Sequence, residues 1–425
     1  MQTPVTAPIS APNARRAPRA ARPLALSLLA ALATLALPAA AQVGSGSGSS
    51  PFYFGGSLAL GQDTNVLRTA SASAQSDTYS IVSVLAGLDQ TISRQRVYGD
   101  IALRSTRYND LSQLNGEGYG LNAGVDWSTV GRLSGTLRAS ANQTQARFTD
   151  PGLPTISTRN DERTQQFLAL GRWGVAQLFE LEASYTANRL EYSNVLARTQ
   201  NLDQQSIGAA VRYSPSALLT LGVGARGTDG RYPQFYSSIP GSGSPLDFTR
   251  RDADLTATWV PSGASRLEAR LSATQVDYEQ DPARDVSGAT GSLTWNFTPT
   301  GRTSFTSTVF RDTGAAATFQ QIGAGGSSAL ADNSQLSTGL RVGATYGLTG
   351  KITATGNLGW FQRDYEGSLG GTETVQNFGV GLRWEITRAA SVGCTIGREN
   401  RDSTTPLAVA YGATTTLCTA QVLLR

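Results

Sequence analysis

Histidine is absent from all 425 residues. That one absence removes Ser-His and Cys-His nucleophilic catalysis, His-ligated metals and imidazole acid–base chemistry together. Cysteine occurs only at Cys394 and Cys418, too few for a structural zinc site. Lys351 is the single lysine, so arginine supplies nearly all the positive charge. Past the N-terminus no apolar run approaches the ~20 residues of a membrane-spanning helix. Carboxylate pairs such as Asp277 with Glu279, or Asp281 with Asp285, fall in polar, loop-like surroundings with nothing to raise one pKa. The glycine-rich stretch "GAGGSSALAD" lacks the lysine of a phosphate loop. The expectation is a protein that is not an enzyme, with no cofactor and no metal.

The N-terminus is unlike the rest. Arg15, Arg16, Arg19 and Arg22 precede "PLALSLLAALATLAL", which ends in Pro38 and the small residues Ala39 to Ala41. This is the order of a secretory signal peptide, spanning 1–41 and cleaved after Ala41. Residues 42–50, "QVGSGSGSS", read as a flexible linker, and 51–425 as the folded unit. The chain has 35 basic and 31 acidic residues; losing four arginines leaves 31 against 31. A neutral mature chain gives no reason to expect a nucleic-acid partner.

From residue 51 onward strand-like segments follow one another. In "RLEARLSATQVDY", Leu267, Ala269, Leu271 and Ala273 point one way and Arg266, Glu268, Arg270 and Ser272 the other. About eighteen such segments can be counted, sixteen being the alternative. Eight tight turns, such as "ISRQR" near 94 and "GLTGK" near 349, alternate with nine longer polar connections. The longest of these, 229–248 and 312–333, are candidates to fold inward as constrictions. The fold expected is an all-β, antiparallel, up-and-down transmembrane β-barrel, with even strand number and both chain ends on the tight-turn side. A propeller has a similar repeat length but packs four short strands into it, where two long ones stand here.

Aromatic residues mark the strand ends. Before the tight turns come Trp127, Trp173, Tyr213, Trp259, Trp295, Tyr346 and Trp384. At the far ends of the ascending strands sit Tyr108, Phe148, Tyr192, Tyr232, Tyr278, Phe310 and Tyr365. Both sets are expected to form interfacial girdles, one at each membrane surface. The opposite row then lines the lumen, with Arg104, Arg138, Arg172, Arg212, Arg226, Arg266, Glu268, Arg270, Arg341 and Arg383 as its charged members. Their roles divide between a selectivity lining for acidic solutes and mutual pairing that stiffens the wall. In the last hairpin, facing positions sum to about 812, as do 394 and 418, so Cys394 and Cys418 are expected side by side. They are a candidate disulfide, with two buried thiols as the alternative.

The first strand, "FYFGGSLALGQDTNVLRT", with Asp63, Asn65, Leu67 and Arg68, and the strand ends "STRYND", "TQVDYEQ" and "FQRDYEG" resemble the β-barrel porin group that includes EpsL-type proteins. The resemblance spans 51–425 diffusely. It implies a bacterial outer-membrane channel or accessory component of exopolysaccharide export or biosynthesis, with periplasmic termini. Its partners would be outer-membrane lipids, a polysaccharide or other solute, and other exopolysaccharide secretion proteins. The alternative is a closed structural or surface-binding barrel whose long external loops bind glycan. Many barrels of this kind end on an aromatic residue, whereas this chain ends "QVLLR".

Overall fold

The structure, a computed structural model, describes residues 50–146, 148, 156–174, 178–239, 242–313, 336–365, 370–406 and 408–425. Residues 1–41, expected from the sequence to be a signal peptide, and all but Ser50 of 42–50, expected to be a linker, lie outside these residues.

Among the described residues eighteen strands make one sheet. They are β1 Phe52–Asp63, β2 Asp77–Ile92, β3 Gln95–Tyr108, β4 Gly116–Ser128, β5 Leu133–Gln145 and β6 Asp161–Gly174. Next come β7 Phe179–Tyr192, β8 Leu202–Ser216, β9 Leu219–Ile239, β10 Ser242–Ser262, β11 Ser265–Tyr278 and β12 Val286–Thr300. The last are β13 Thr303–Thr313, β14 Leu336–Gly347, β15 Ile352–Tyr365, β16 Gly371–Glu385, β17 Ala390–Ser403 and β18 Tyr411–Leu424. Each pairs antiparallel with the next, and β1 pairs with β18 from Phe54↔Leu424 to Asp63↔Thr415. The sheet is therefore a closed 18-stranded up-and-down barrel, which leaves no edge with unpaired backbone groups.

Alternation fixes which way each side chain points. On β11, Leu271 and Ala273 are exposed while Ser272, Thr274 and Val276 are buried. Val82, Val84, Leu103, Ile207, Val223, Leu255, Leu293, Phe378 and Leu382 are likewise exposed on the outer row of their strands. An apolar surface running right round a barrel is tolerated only where lipid covers it. Trp173, Tyr213, Trp259, Trp295, Tyr346 and Trp384 are exposed at its turn-side margin, and Trp127 lies there half-buried against Gly135.

The loop-side aromatics are placed differently, and the second girdle must be corrected. Phe148, Tyr192, Tyr232, Phe310 and Tyr365 are buried, and Tyr108 and Tyr278 pack against buried clusters. Tyr278 lies eleven positions from Leu267, an odd number, so it belongs to the inward row with Val276. On the outer surface at this level stand ion pairs instead: Arg107 with Glu117 at 2.6 Å, Arg189 with Glu191 at 2.7 Å, Arg231 with Asp247 at 3.5 Å and Arg251 with Asp277 at 3.4 Å.

The segment 229–248 also needs correction. Its described residues extend β9 and β10, with Gly230↔Phe248 and Arg231↔Asp247 in register. Tyr232, Leu246 and Phe248 point inward and join a cluster with Leu190, Tyr192, Leu202 and Val276. Of 312–333, Asp312 and Thr313 belong to β13 and 314–333 lie outside the described residues.

The compact motif after β1 fastens the seam. Asn65, fully buried, donates from Nδ2 to Thr69 O (2.7 Å) and, across the seam, to Gly412 O (3.2 Å). The Thr69 N–H donates back to Asn65 Oδ1 at 3.1 Å, and Thr64 N donates to Thr414 O at 3.0 Å. Arg68 holds a left-handed φ of 55°, uncommon for a side chain of its size. It is fixed there by Asp63 at 2.8 Å and Glu399 at 3.6 Å. Burial alone would lower the pKa of the guanidinium, but these carboxylates outweigh it and raise the pKa above the ordinary arginine value. Asn65→Ala leaves buried groups on both sides of the seam unpaired, an expected loss of ~1–3 kcal/mol in urea unfolding from vesicles. An unchanged urea midpoint would contradict this role for the motif.

Candidate functional site

All ten sequence-derived lumen residues lie on the inward rows, but they divide into two groups by their partners. The first group sits on β6 to β13. Glu182 on β7 receives Arg172 Nε at 2.8 Å and Arg212 Nη1 at 2.9 Å, with Glu180 3.7 Å from both guanidinium groups. The register makes this possible, because Arg172↔Glu182 and Glu180↔Arg212 are direct cross-strand partners. Farther round, Arg226 meets Asp252 at 3.0 Å, and Arg250 bridges Asp252 (2.8 Å) to Asp312 (2.6 Å). Arg270 reaches Asp312 at 2.9 Å and lies 3.8 Å from Asp254. Arg266 and Glu268 pair at 2.7 Å lower on β11. Six arginines thus meet six carboxylates, and this network has no net formal charge.

Neutral side chains complete the network. Thr274 donates to Asp252 at 2.6 Å and shares a 2.7 Å hydrogen bond with Thr290, and Ser272 donates to Asp254. Arg250, Asp252 and Asp312 are nearly inaccessible, so their pairing offsets a large desolvation cost.

Between the two charge clusters the wall is hollow. Gly208, Ala210 and Gly224 form the floor of a recess of about 470 Å³, rimmed by Glu182, Arg212, Arg226, Asp254, Arg266, Glu268 and Arg270. A Cβ on Gly224 would come within 2.7 Å of Ala209 O and 2.8 Å of Ala210 Cβ, and one on Gly208 within 2.8 Å of Ser184 Oγ. Glycine is needed there to leave the floor open. The rim offers guanidinium donors, carboxylate acceptors and the hydroxyls of Thr256, Ser292 and Thr294. Such a wall can hydrogen-bond a polyhydroxylated solute from several directions.

The second group has no carboxylate. Among the described residues, Arg104, Arg138, Arg341 and Arg383 make no ion pair. Arg138 donates to Tyr98 Oη at 3.3 Å, Arg104 lies over Gly118 and Gly120, and Arg341 sits between Phe310 (5.3 Å) and Phe361 (5.1 Å). Asp100 makes no ion pair either and accepts from Asn122 (3.2 Å), whereas Asp126 faces Arg96 across β3 and β4 and accepts from Thr136 (2.8 Å). Unpaired charges of both signs therefore remain on this part of the wall.

The wall from β12 to β18 carries mainly uncharged side chains on its turn-side half, with Arg383 and Glu385 the exceptions beside the turn. Thr306 donates to Asn296 at 3.0 Å, and Thr294 and Thr308 share a 3.1 Å hydrogen bond. Asn357↔Gly379 and Gly359↔Asn377 are reciprocal pairs in which each amide covers the facing glycine. Of these inward residues Asn357 and Arg383 are exposed, as are Arg266, Glu268 and Arg138 across the barrel. The interior is accessible from the turn side.

Near the loops the interior is packed. Arg363, Glu373 and Arg401 are almost wholly inaccessible, with Glu373 Oε2 3.0 Å from Arg363 Nη1 and Oε1 accepting from Arg401 Nε. Tyr365 Oη donates to Glu373 at 2.8 Å, and Arg401 lies 5.4 Å from the Tyr411 ring. Neither this triad nor Arg250 with Asp312 was among the sequence candidates. Extending the inward row upward from Arg383 reaches Glu373, and one step up from Asp252 reaches Arg250, so parity alone could have found both.

The chain matches no protein-family model and no curated protein in sequence. Its structure is similar to the outer membrane protein OpdK from Pseudomonas aeruginosa, at 12% identity over 88% of this chain and 99% of that one, with a TM-score of 0.46. OccK2 (OpdF) from the same organism matches at 8% identity over 88% and 98%, with a TM-score of 0.45. The FrpB iron transporter from Neisseria meningitidis, in apoprotein form, matches at 11% over 84% and 63%, with a TM-score of 0.44.

Proposed function

We propose that this barrel is a porin-like channel of the bacterial outer membrane that passes polar, hydroxylated solutes and serves exopolysaccharide export, with the tight turns and both chain ends periplasmic. One observation carries the reading: on the turn-side half, adjacent residues of one strand face two different solvents. Leu267, Ala269 and Leu271 belong to the apolar exterior, while Arg266, Glu268 and Arg270 rim a wet recess. The balanced charges suit a neutral or mildly acidic glycan better than a small ion of one sign. The export role draws support from the first-strand resemblance and from a recess rich in sugar-type hydrogen-bond partners. A second reading is favoured by the packed loop-side interior around Tyr232, Leu246 and Phe248: a barrel closed at that end, acting through its loops.

Planar-bilayer recording separates the two. The channel reading expects stepwise conductance that is interrupted by added oligosaccharide; folded protein without conductance would leave the closed barrel. Selectivity gives a sharper check. Glu182→Gln removes the carboxylate shared by Arg172 and Arg212, adding one positive charge to the lumen wall. At ~8 Å across water a unit charge is worth ~0.5 kcal/mol to each ion, favourable to chloride and unfavourable to potassium, so the chloride-to-potassium permeability ratio should rise about fivefold. A fall in that ratio would contradict the assignment of Glu182 to the pore wall.

A further inference from the structure

Nothing in the proposed function uses the chain's two cysteines. Cys394 on β17 and Cys418 on β18 are direct cross-strand partners, Cα atoms 4.0 Å apart, and they are joined as a disulfide. Both face outward. The row Leu382, Cys394, Cys418 and Leu60 crosses β16, β17, β18 and β1 on the exterior, each position in register with the next. Val392 and Ile396, exposed on the same strand face, flank Cys394. Trp384 of the turn-side ring is in register with Val392, two residues below Cys394. Two residues on a strand tilted ~40° amount to ~5 Å of height, so the sulfurs lie inside the apolar band. The outward Arg398 comes only four residues farther along.

That position governs the chemistry of the bond. Thiol–disulfide exchange proceeds through a thiolate, and neither a thiolate nor a charged, water-soluble reagent is stable in hydrocarbon. Resting on the membrane-spanning reading above, we infer that this disulfide forms before the barrel enters the bilayer and is sealed against exchange once inside. In the step itself, one cysteine thiolate attacks a disulfide of an external thiol–disulfide oxidant, giving a mixed disulfide and releasing one oxidant thiolate. The second cysteine thiolate then attacks its partner's sulfur, forming the Cys394–Cys418 bond and expelling the other oxidant thiolate. Two electrons pass to the oxidant, and two protons leave the chain. The consequence is structural. β18 is the strand that closes the barrel against β1, and it reaches the membrane already fixed in register to β17.

Because there are no other cysteines, thiol counting reports on this bond alone. Oxidised full-length protein is folded into phosphatidylcholine vesicles, exposed to a water-soluble phosphine, denatured and tagged with a high-mass maleimide. Reduction should be about 100-fold slower than for the same protein unfolded in urea, or slower still. In the converse experiment, protein folded into vesicles as the dithiol and then given oxidised glutathione should keep both thiols free. Reduction in vesicles within a few-fold of the unfolded rate, for protein that floats with the vesicles, overturns the inference and leaves the membrane-spanning reading intact. Protein that does not float with the vesicles overturns both.

Discussion

Glu373→Ala is expected to destabilise the barrel by about 3–5 kcal/mol. Glu373 is the carboxylate shared by Arg363 and Arg401, and all three side chains are shielded from water. Removing it takes from two buried guanidinium groups a shared charge that offsets their desolvation. Glu373→Gln keeps the volume and an acceptor for Tyr365 but not the charge, and should fall between the alanine variant and the native protein. The comparison that isolates burial is Glu268→Ala. Its pair with Arg266 is just as short at 2.7 Å but exposed, and exposed pairs contribute ~0–1 kcal/mol. Urea unfolding in vesicles reads all three. Equal losses for Glu373→Ala and Glu268→Ala would show that the loop-side interior is as wet as the turn side.

Leu271→Arg is the second large effect, and its size reports directly on what surrounds the barrel. Leu271 is exposed on the outward row, four residues above Leu267, which is in register with both Trp259 and Trp295. Four residues are ~10 Å of height, close to the middle of a ~25 Å band. Arginine on the lipid face at that depth costs ~2–4 kcal/mol. On a water-exposed surface the same change would stay within about 0.5 kcal/mol. One residue away, Arg270 is native and paired with Asp312. A near-zero effect at 271 would mean that the outward row does not face acyl chains.

The barrel was legible in the sequence because one physical signal repeats on every strand. Leu267, Ala269 and Leu271 must share a face whatever the tertiary context, and "GLTGK" or "ISRQR" can only reverse the chain. Strand count and the turn-side tryptophans follow from such local features. The loop-side aromatics stand at strand ends, as girdle residues do, but their parity turns them inward. Tyr278 resembles a girdle residue until the eleven steps from Leu267 are counted as odd. The hairpin of β9 and β10 was hidden for a different reason: Gly230, Pro233, Gly241, Gly243 and Pro245 carry the composition of a loop, and only pairing across the hairpin reveals a strand.

Within the site, alternation identifies which residues point inward but not which of them neutralise each other. Arg212 with Glu182 and Arg104 with no partner look alike in sequence. What separates them is cross-strand register, a relation between residues tens of positions apart. The Cys394–Cys418 pair was accessible for the opposite reason, since both lie in one hairpin whose register its turn sets. The Asp63–Asn65–Arg68 element stood out as a motif, but its function as a seam fastener depends on Gly412 and Glu399, at the far end of the chain.

The central claim is that the outward rows face lipid and the inward rows face water, and the native protein carries its own reporter. All six tryptophans, Trp127, Trp173, Trp259, Trp295, Trp360 and Trp384, lie on outward rows. Their emission should be strongly quenched when the protein is folded into vesicles of lipids brominated on the acyl chains, and should barely respond to iodide in the aqueous phase. Emission quenched by iodide and indifferent to bromine would place those rows in water and contradict the account.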